Sequence, residues 1–354
     1  MSTLRLMVTI SRPRATLTLL IFLLAGAVWH GAAAVTGPLA LAGVALAAAY
    51  AASSCLNQLA DRRIDSINLP GLSDRPLVAG TAGPREMIGM AVAAAAVAIA
   101  AGFAASLFTG ILISGALILY GQYSLPPLRI SHRPYLTPPC LAVGYSVIPF
   151  AAGADAAGAR LGAADAWIMA ALFTLFLARI LLKDLRDRKG DAACGKATIV
   201  LRHGKRVVSG LSTGTLVAGM GLLAVALAGR PVVLAAMLPF AAALLFVEVR
   251  LASATRILDE VILVGLGARI GNGMILALVG MVTLMNVGAD IATVAVAGLL
   301  VMAPYAYTLR EYVLAPSSFR FGPLHLEASE HNGDQARPRA GADEPPAPSI
   351  SHVA

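Results

Sequence analysis

What most constrains this chain is the recurrence of apolar stretches long enough to cross a bilayer. A membrane-spanning helix needs roughly 20 mostly apolar residues. Such stretches run over approximately 16–34, 36–57, 87–108, 109–125, 139–154, 164–182, 207–228, 231–251, 262–287 and 289–309. A bundle in lipid must satisfy its own backbone polar groups, which excludes an open sheet. The expected fold is therefore an all-α integral membrane bundle of nine to ten transmembrane helices. Only 13% of residues are charged, against about 25% in a soluble domain. Alanine and glycine recur within the stretches, as in 93–96 and 100–102, and small residues let membrane helices approach closely.

Basic residues set the orientation. With ten spans, the connections on one side hold only Arg160 and Arg230 of the 27 Lys and Arg. The positive-inside rule then assigns both termini to the cytoplasm of a cell (inner or plasma) membrane protein. The net charge of +8 has the same origin, since juxtamembrane Lys and Arg meet anionic lipid. No soluble basic domain is present to bind nucleic acid. The first stretch is longer than a leader's apolar region and many spans follow, so it reads as a retained anchor. Cys55, Cys140 and Cys194 are scattered, without metal-type spacing, in a compartment where disulfides are rare. Residues 1–314 read as one intramembrane domain and 315–354, rich in Pro and polar residues, as a disordered cytoplasmic tail.

Two acidic rows interrupt this apolar pattern: Asn57, Asp61 and Asp65, then Asp184, Asp187 and Asp191. Each follows an apolar stretch on the cytoplasmic side, where carboxylates mark a functional site. Spacings i, i+4, i+8 and i, i+3, i+7 put each set on one helical face. Such oxygens suit a hard cation, and Mg²⁺ binds through one or two carboxylates plus substrate phosphates. Two facing rows can clamp a diphosphate through more than one Mg²⁺. The competing reading is a solvated face whose acids pair with Arg62, Arg63, Arg186, Arg188 and Lys189, and such surface pairs are common. It leaves the duplicated spacing unexplained, and five of the 19 acidic residues lie in these rows. Basic partners for phosphate lie on the same side: Arg12, Arg75, Arg129, Arg133 and Lys183. Arg179 stands inside an apolar stretch, where a charge needs a buried partner.

The residues carry a resemblance. Asn57-x-x-x-Asp61-x-x-x-Asp65, Asp74-Arg75-Pro76-Leu77-Val-Ala-Gly80, Tyr123-Ser124-Leu-Pro126-Pro127-Leu128-Arg129, Lys183-Asp184-Leu-Arg-Asp187-x-x-x-Asp191 and Gly195-Lys196-Ala-Thr198 resemble the UbiA-type intramembrane prenyltransferases, in family order over roughly 8–290. The resemblance implies a helical bundle around a central cavity, usually of nine spans. It implies transfer of a prenyl group from an isoprenyl diphosphate donor to an aromatic or lipid-like acceptor. Carried over by motif, Asn57, Asp61, Asp65, Asp184, Asp187 and Asp191 would hold Mg²⁺, with Asp61, Asp65, Asp187 and Asp191 the catalytic acids. Arg75, Arg179 and Lys183 would contact the diphosphate. Tyr120, Tyr123, Tyr145, Phe150, Trp167, Phe173 and Phe176 are candidate cavity liners. The family commonly has Asp where this chain has Gln58, so the first row leans on Asp61 and Asp65. Two other readings compete, a terpene cyclase on the same scaffold and a transporter. A transporter needs midplane charge, and here only Arg179, Glu248 and Arg269 approach the spans. An Asp-Gly-x-x-Ala-Arg run, as in phosphoalcohol transferases, is absent.

Overall fold

The computed structural model describes residues 3–68 and 75–314, with side chains from residue 6 onward. Asp74 and the expected tail, 315–354, lie outside the described residues. Regular structure among the described residues is entirely helical. The chain opens with α1 (Thr3–Ser11), α2 (Pro13–Trp29), α3 (Gly37–Ala60) and the short α4 (Arg62–Asn68). It continues through α5 (Pro84–Ala105), α6 (Leu107–Ser124), α7 (Thr137–Ala142), α8 (Ile148–Ala156) and α9 (Ala163–Leu182). The short α10 (Arg188–Ala193) precedes α11 (Ile199–Ala226), α12 (Pro231–Ser253), α13 (Ile257–Asn286) and α14 (Ile291–Leu314).

All ten predicted stretches are helical. Eight of them contain single helices long and apolar enough to cross a membrane among the described residues. The other two differ for local reasons. Helix α2 is apolar but only 17 residues long. The fifth stretch is broken into α7, a wide π turn at Val143–Val147 and α8. Pro149 lies one residue beyond that turn, after Ile148; it has no N–H to return to the preceding turn, and such widenings occur where the normal ladder is interrupted.

Small residues set the packing. A Cβ on Gly26 of α2 would lie 2.0 Å from the carbonyl oxygen of Phe150 in α8. A Cβ on Gly153 of α8 would lie 1.9 Å from that of Leu23 in α2. The two backbones therefore touch through reciprocal glycines, where attraction comes from van der Waals contact rather than water exclusion. Gly219 of α11 receives Leu175 of α9 in the same way. The largest apolar cluster joins α2, α9, α11, α12 and α13, and a second joins α2, α3, α5, α6 and α8. The tenth span, α14, is peripheral: only Val294, Gly298 and Tyr312 are buried on it.

The two acidic rows lie at the C-terminal ends of α3 and α9. Helix α3 stops at Ala60 and Asp61 (φ −105°, ψ 16°) occupies its C-cap. The hydrogen-bond ladder nevertheless continues, from Asp61 N–H to the Asn57 carbonyl and from Asp65 N–H to the Asp61 carbonyl, both at 2.8 Å. After α9 the chain tightens into a 3₁₀ turn, Lys183–Leu185, before α10 begins behind Asp187.

Candidate active site

The two acidic rows come together although neither lies on one unbroken α-helix. Asn57 is in the last turn of α3, Asp61 at its cap and Asp65 in α4. Asp184 lies in the 3₁₀ turn, Asp187 caps α10 and Asp191 lies within it. The expected i, i+3, i+7 helical face is thus a 3₁₀ step followed by an α step. Asp187 N–H reaches the Asp184 carbonyl at 3.2 Å and Asp191 N–H the Asp187 carbonyl at 3.1 Å. The period changes while the oxygens keep to one side.

Helices α4 and α10 are joined directly. The Gly190 N–H donates to Asn68 Oδ1 at 2.6 Å, and a Cβ on Gly190 would lie 2.6 Å from the same side chain. Glycine at this position lets the two acidic segments touch. Asp65 accordingly feels Asp61 of its own segment and Asp187 of the other.

Burial dominates the electrostatics. Asp65 and Asp191 are buried, Asp191 completely. Desolvation pushes the Asp65 carboxyl up to about 7, opposed by Arg12 and reinforced by Asp61 and Asp187. It pushes Asp191 up to about 6, opposed first by Lys196. Arg75 Nε stands 3.4 Å from Asp65 Oδ2, but neither atom has a hydrogen-bond partner. Unaligned, this contact does not offset the burial. Lys196 Nζ is 3.3 Å from Asp191 Oδ1. Gly195, at φ 67°, makes the left-handed turn that brings the Lys196 N–H back to the Asp191 carbonyl at 2.8 Å. Lys183 bonds Asp184, Arg186 donates to Asp187 at 3.1 Å, and the Asn57 amide donates to Asp61 Oδ2 at 2.8 Å.

Asp61 Oδ1, Asp65 Oδ2 and both oxygens of Asp191 are buried without a hydrogen-bond partner, although Arg75 and Lys196 stand 3.4 and 3.3 Å from Asp65 Oδ2 and Asp191 Oδ1. Buried polar atoms are normally satisfied, and unpaired acceptors of this hardness fit Mg²⁺. No three His, Cys, Asp or Glu among the described residues form a metal-holding group by themselves. An ion held here would need further ligands, such as waters and substrate phosphates, which Mg²⁺ commonly keeps. The donor set therefore fits Mg²⁺ carried in with a diphosphate.

Arg12, a basic candidate from the sequence, and Lys196, from the Gly195–Thr198 motif, join the acidic rows. Arg12 sits between α1 and α2 in the left-handed region, at φ 44°, ψ 73°, and Pro13 opens α2 behind it. Its charge acts on Asp65, and its Nη2 is buried without a partner. Lys196 belongs to a motif visible in the sequence, yet only the turn at Gly195 directs it to Asp191. His132, in the segment joining α6 and α7, is near enough to feel Asp61. Burial, then Arg129, hold its pKa below the usual value.

Arg179 is elsewhere. It bonds the Asn272 side-chain oxygen, lies over the Phe176 ring at 5.3 Å and lines a pocket that contains none of the six acidic-row residues. Among the aromatic candidates, Tyr145 stacks on Phe176 at 5.2 Å and meets Tyr50 of α3 at 5.7 Å. Tyr120 donates to the Gly144 carbonyl at 3.0 Å. Phe150 is core, whereas Trp167 stands half exposed.

The model of the UbiA prenyltransferase family matches residues 19–259. The chain belongs to that family and is an integral membrane helical protein. The digeranylgeranylglyceryl phosphate synthase of Methanothermobacter thermautotrophicus is 31% identical over 189 residues, 52% of this chain and 60% of the relative. The chain thus spans about 60% of the length of the curated relatives it matches. A UbiA homologue from Archaeoglobus fulgidus, solved bound to GPP and Mg²⁺, has a TM-score of 0.56 at 21% identity, covering 86% of this chain and 98% of that one. The apo UbiA homologue from Aeropyrum pernix K1 reaches 0.61 at 17% identity, covering 77% and 98%. These two likenesses establish the fold.

Proposed function

We propose that the protein transfers a prenyl group from an isoprenyl diphosphate to an acceptor within the membrane, with Mg²⁺ at the two acidic rows. One observation carries this reading: α4 and α10 meet at Asn68 and Gly190, bringing together acids whose buried oxygens lack hydrogen-bond partners. Asn57, Asp61 and Asp65 on one side and Asp184, Asp187 and Asp191 on the other would hold the ion. Bound there, Mg²⁺ supplies Lewis-acid neutralisation of the leaving diphosphate. The names of the solved relatives, bound to DMAPP or GPP with Mg²⁺, support donor and ion.

The chain's own residues do the rest. Arg75 and Lys183 contact diphosphate oxygens, while Arg12 and Lys196 add fixed positive charge where negative charge develops. Asn57 orients Asp61. As the allylic fragment becomes cationic, the rings of Tyr50, Tyr145 and Phe176 offer π faces and exclude water. The acceptor is aromatic or lipid-like, and the synthase relatives favour a glycerol-based lipid. The charge asymmetry across the spans supports a site and both termini in the cytoplasm of the cell membrane.

The test is turnover of labelled geranyl, farnesyl and geranylgeranyl diphosphates by purified protein, with and without Mg²⁺. A panel of phenolic and glycerol-lipid acceptors is included. A prenylated acceptor formed only with Mg²⁺ is expected. A cyclised hydrocarbon without acceptor, or no diphosphate release by folded protein, overturns the reading.

A further inference from the structure

The second acidic row is carried by a segment too short to hold its own shape. It is a three-residue 3₁₀ turn, Lys183–Leu185, followed by the six-residue α10. Helices this short are not stable alone. The row also opposes itself, since Asp184 and Asp187 both bring negative charge to bear on the buried Asp191. Neighbouring elements must therefore fix it. Asn68 holds it at Gly190, and α11 and α13 both pack against the 3₁₀ turn.

A buried ion cluster outside both rows supplies a second hold. Arg188 stands directly after Asp187, yet its ion pair is with Glu260 in the first turn of α13, 72 residues away in sequence. The same guanidinium turns back on its own segment. Arg188 Nε donates at 2.9 Å to the carbonyl of Leu185, the last residue of the 3₁₀ turn. One planar fork thus ties that turn to α13, which the point charge of a lysine does not do.

Glu260 is held in its turn. It is only 5% exposed, and its other oxygen, Oε1, accepts from Lys205 Nζ at 2.9 Å. That ammonium also bonds the carbonyl of Ala254, the residue that caps α12. Lys205 directly follows Gly204, where φ 77° and ψ 169° interrupt α11. Helices α10, α11, α12 and α13 therefore meet at one carboxylate and its lysine. Desolvation offsets much of the attraction in a buried ion cluster, so such clusters serve better to fix one arrangement than to add stability. The arrangement fixed here is the turn between Asp184 and Asp187.

We infer that Glu260 is a positioning residue for the second acidic row: it holds Arg188, and through Arg188 sets the turn that aims Asp184, Asp187 and Asp191. The role rests on the prenyl-transfer reading above, in which that row binds Mg²⁺. Glu260 acts through Arg188 and not on the reacting atoms. With Arg188 committed to Glu260, its charge does not compete with a metal ion for the row.

The experiment uses the full-length protein in nanodiscs. Glu260→Gln keeps the volume and removes the charge. Arg188→Lys keeps the charge and removes the fork. Asp259→Asn is the control, because that carboxylate pairs with the exposed Arg256 instead. Mn²⁺ binding in the presence of geranyl S-thiolodiphosphate is followed by electron paramagnetic resonance. Amide hydrogen exchange is measured on the metal-free protein, and chromatographic monodispersity checks folding. If Glu260→Gln is not monodisperse, Arg188→Lys carries the test. Mn²⁺ affinity should fall about 10-fold in each, the scale for residues that orient metal ligands. Exchange should quicken in α10 and stay unchanged in the buried turns of α13 around Ile270. The double variant should be no worse than the weaker single one, because both act through one contact. Asp259→Asn should match wild type. A lowered Tm with wild-type Mn²⁺ affinity shows a purely structural role and overturns the proposal. Additive losses in the double variant, or an equal loss in Asp259→Asn, overturn it as well. All three outcomes leave the prenyl-transfer reading standing. Absence of thiolodiphosphate-dependent Mn²⁺ binding in folded wild-type protein overturns that reading, and the positioning role with it.

Discussion

Asn68 and Gly190 join the two acidic segments: the Gly190 N–H donates to Asn68 Oδ1 at 2.6 Å, and there is no room for a Cβ between them. A substitution here separates the rows without touching a carboxylate. Gly190→Ala forces the Asn68 amide to swing away and lose its bond, at a cost of about 1–3 kcal/mol for overpacking. Asn68→Ala removes the acceptor and costs about 1 kcal/mol. Both should raise the Mg²⁺ concentration needed for half-maximal turnover, Gly190→Ala more, with the helical circular dichroism signal retained. Equal Mg²⁺ requirements in wild type and both variants would show that the contact is irrelevant to the site.

The acids themselves are tested by removal. Asp61→Ala and Asp187→Ala should each lower turnover of geranylgeranyl diphosphate by at least about 10²-fold, the scale of a lost electrostatic stabiliser. Their thermal unfolding in detergent should stay within a few degrees of wild type, since both residues sit at helix caps rather than in the apolar core. Full activity in either variant would refute the assignment.

Proton release on cation binding follows from the raised carboxyls. Burial pushes the folded Asp65 carboxyl up to about 7 and that of Asp191 up to about 6, against about 3.9 for an unperturbed Asp. The sign is fixed by which state binds more protons. Below about pH 4 both residues are protonated folded and unfolded, so neither affects stability. As pH rises the unfolded chain ionises first, so the cation-free protein loses stability between about pH 4 and 7. Mg²⁺ favours the ionised forms and reverses the trend. The increase in Tm on adding Mg²⁺ should therefore be small at pH 5 and large at pH 8, with proton release detectable by calorimetry in two buffers. An increase that is flat with pH would contradict it.

Most of the architecture was legible, because membrane insertion imposes its pattern residue by residue. All ten apolar stretches are helical, and the glycines that allow α2 to meet α8 follow from the same logic. The acidic rows were legible as rows because their spacing survives a change of helix type. The breaks at Asp61 and Asp187 were not, since cap geometry depends on what packs beyond the helix end. Long-range pairings left no local trace: nothing near Asn68 announces Gly190. The Lys196–Asp191 pair spans only five residues but depends on the left-handed turn at Gly195. Arg179 was legible as a buried charge but not by partner, because Asn272 lies 93 residues away in sequence. The π turn carried one signal, Pro149, whose effect depends on the surrounding helices.

Lys196 gives the last prediction. Asp191 is wholly buried, Lys196 is only 9% exposed, and their charged atoms are 3.3 Å apart. Removing one member of a buried pair leaves the other uncompensated, at a cost of about 3–5 kcal/mol. Lys196→Met should therefore lower Tm measurably at pH 8 without Mg²⁺. The loss should shrink at pH 5, where the Asp191 carboxyl takes up a proton and no longer needs the ammonium. Lys196→Arg should recover stability, since it restores the charge. It should recover activity less fully, because a planar guanidinium does not reproduce the compact ammonium beside the acid. If Lys196→Met is destabilised equally at both pH values, the defect is one of packing, and the electrostatic role assigned to Lys196 is wrong.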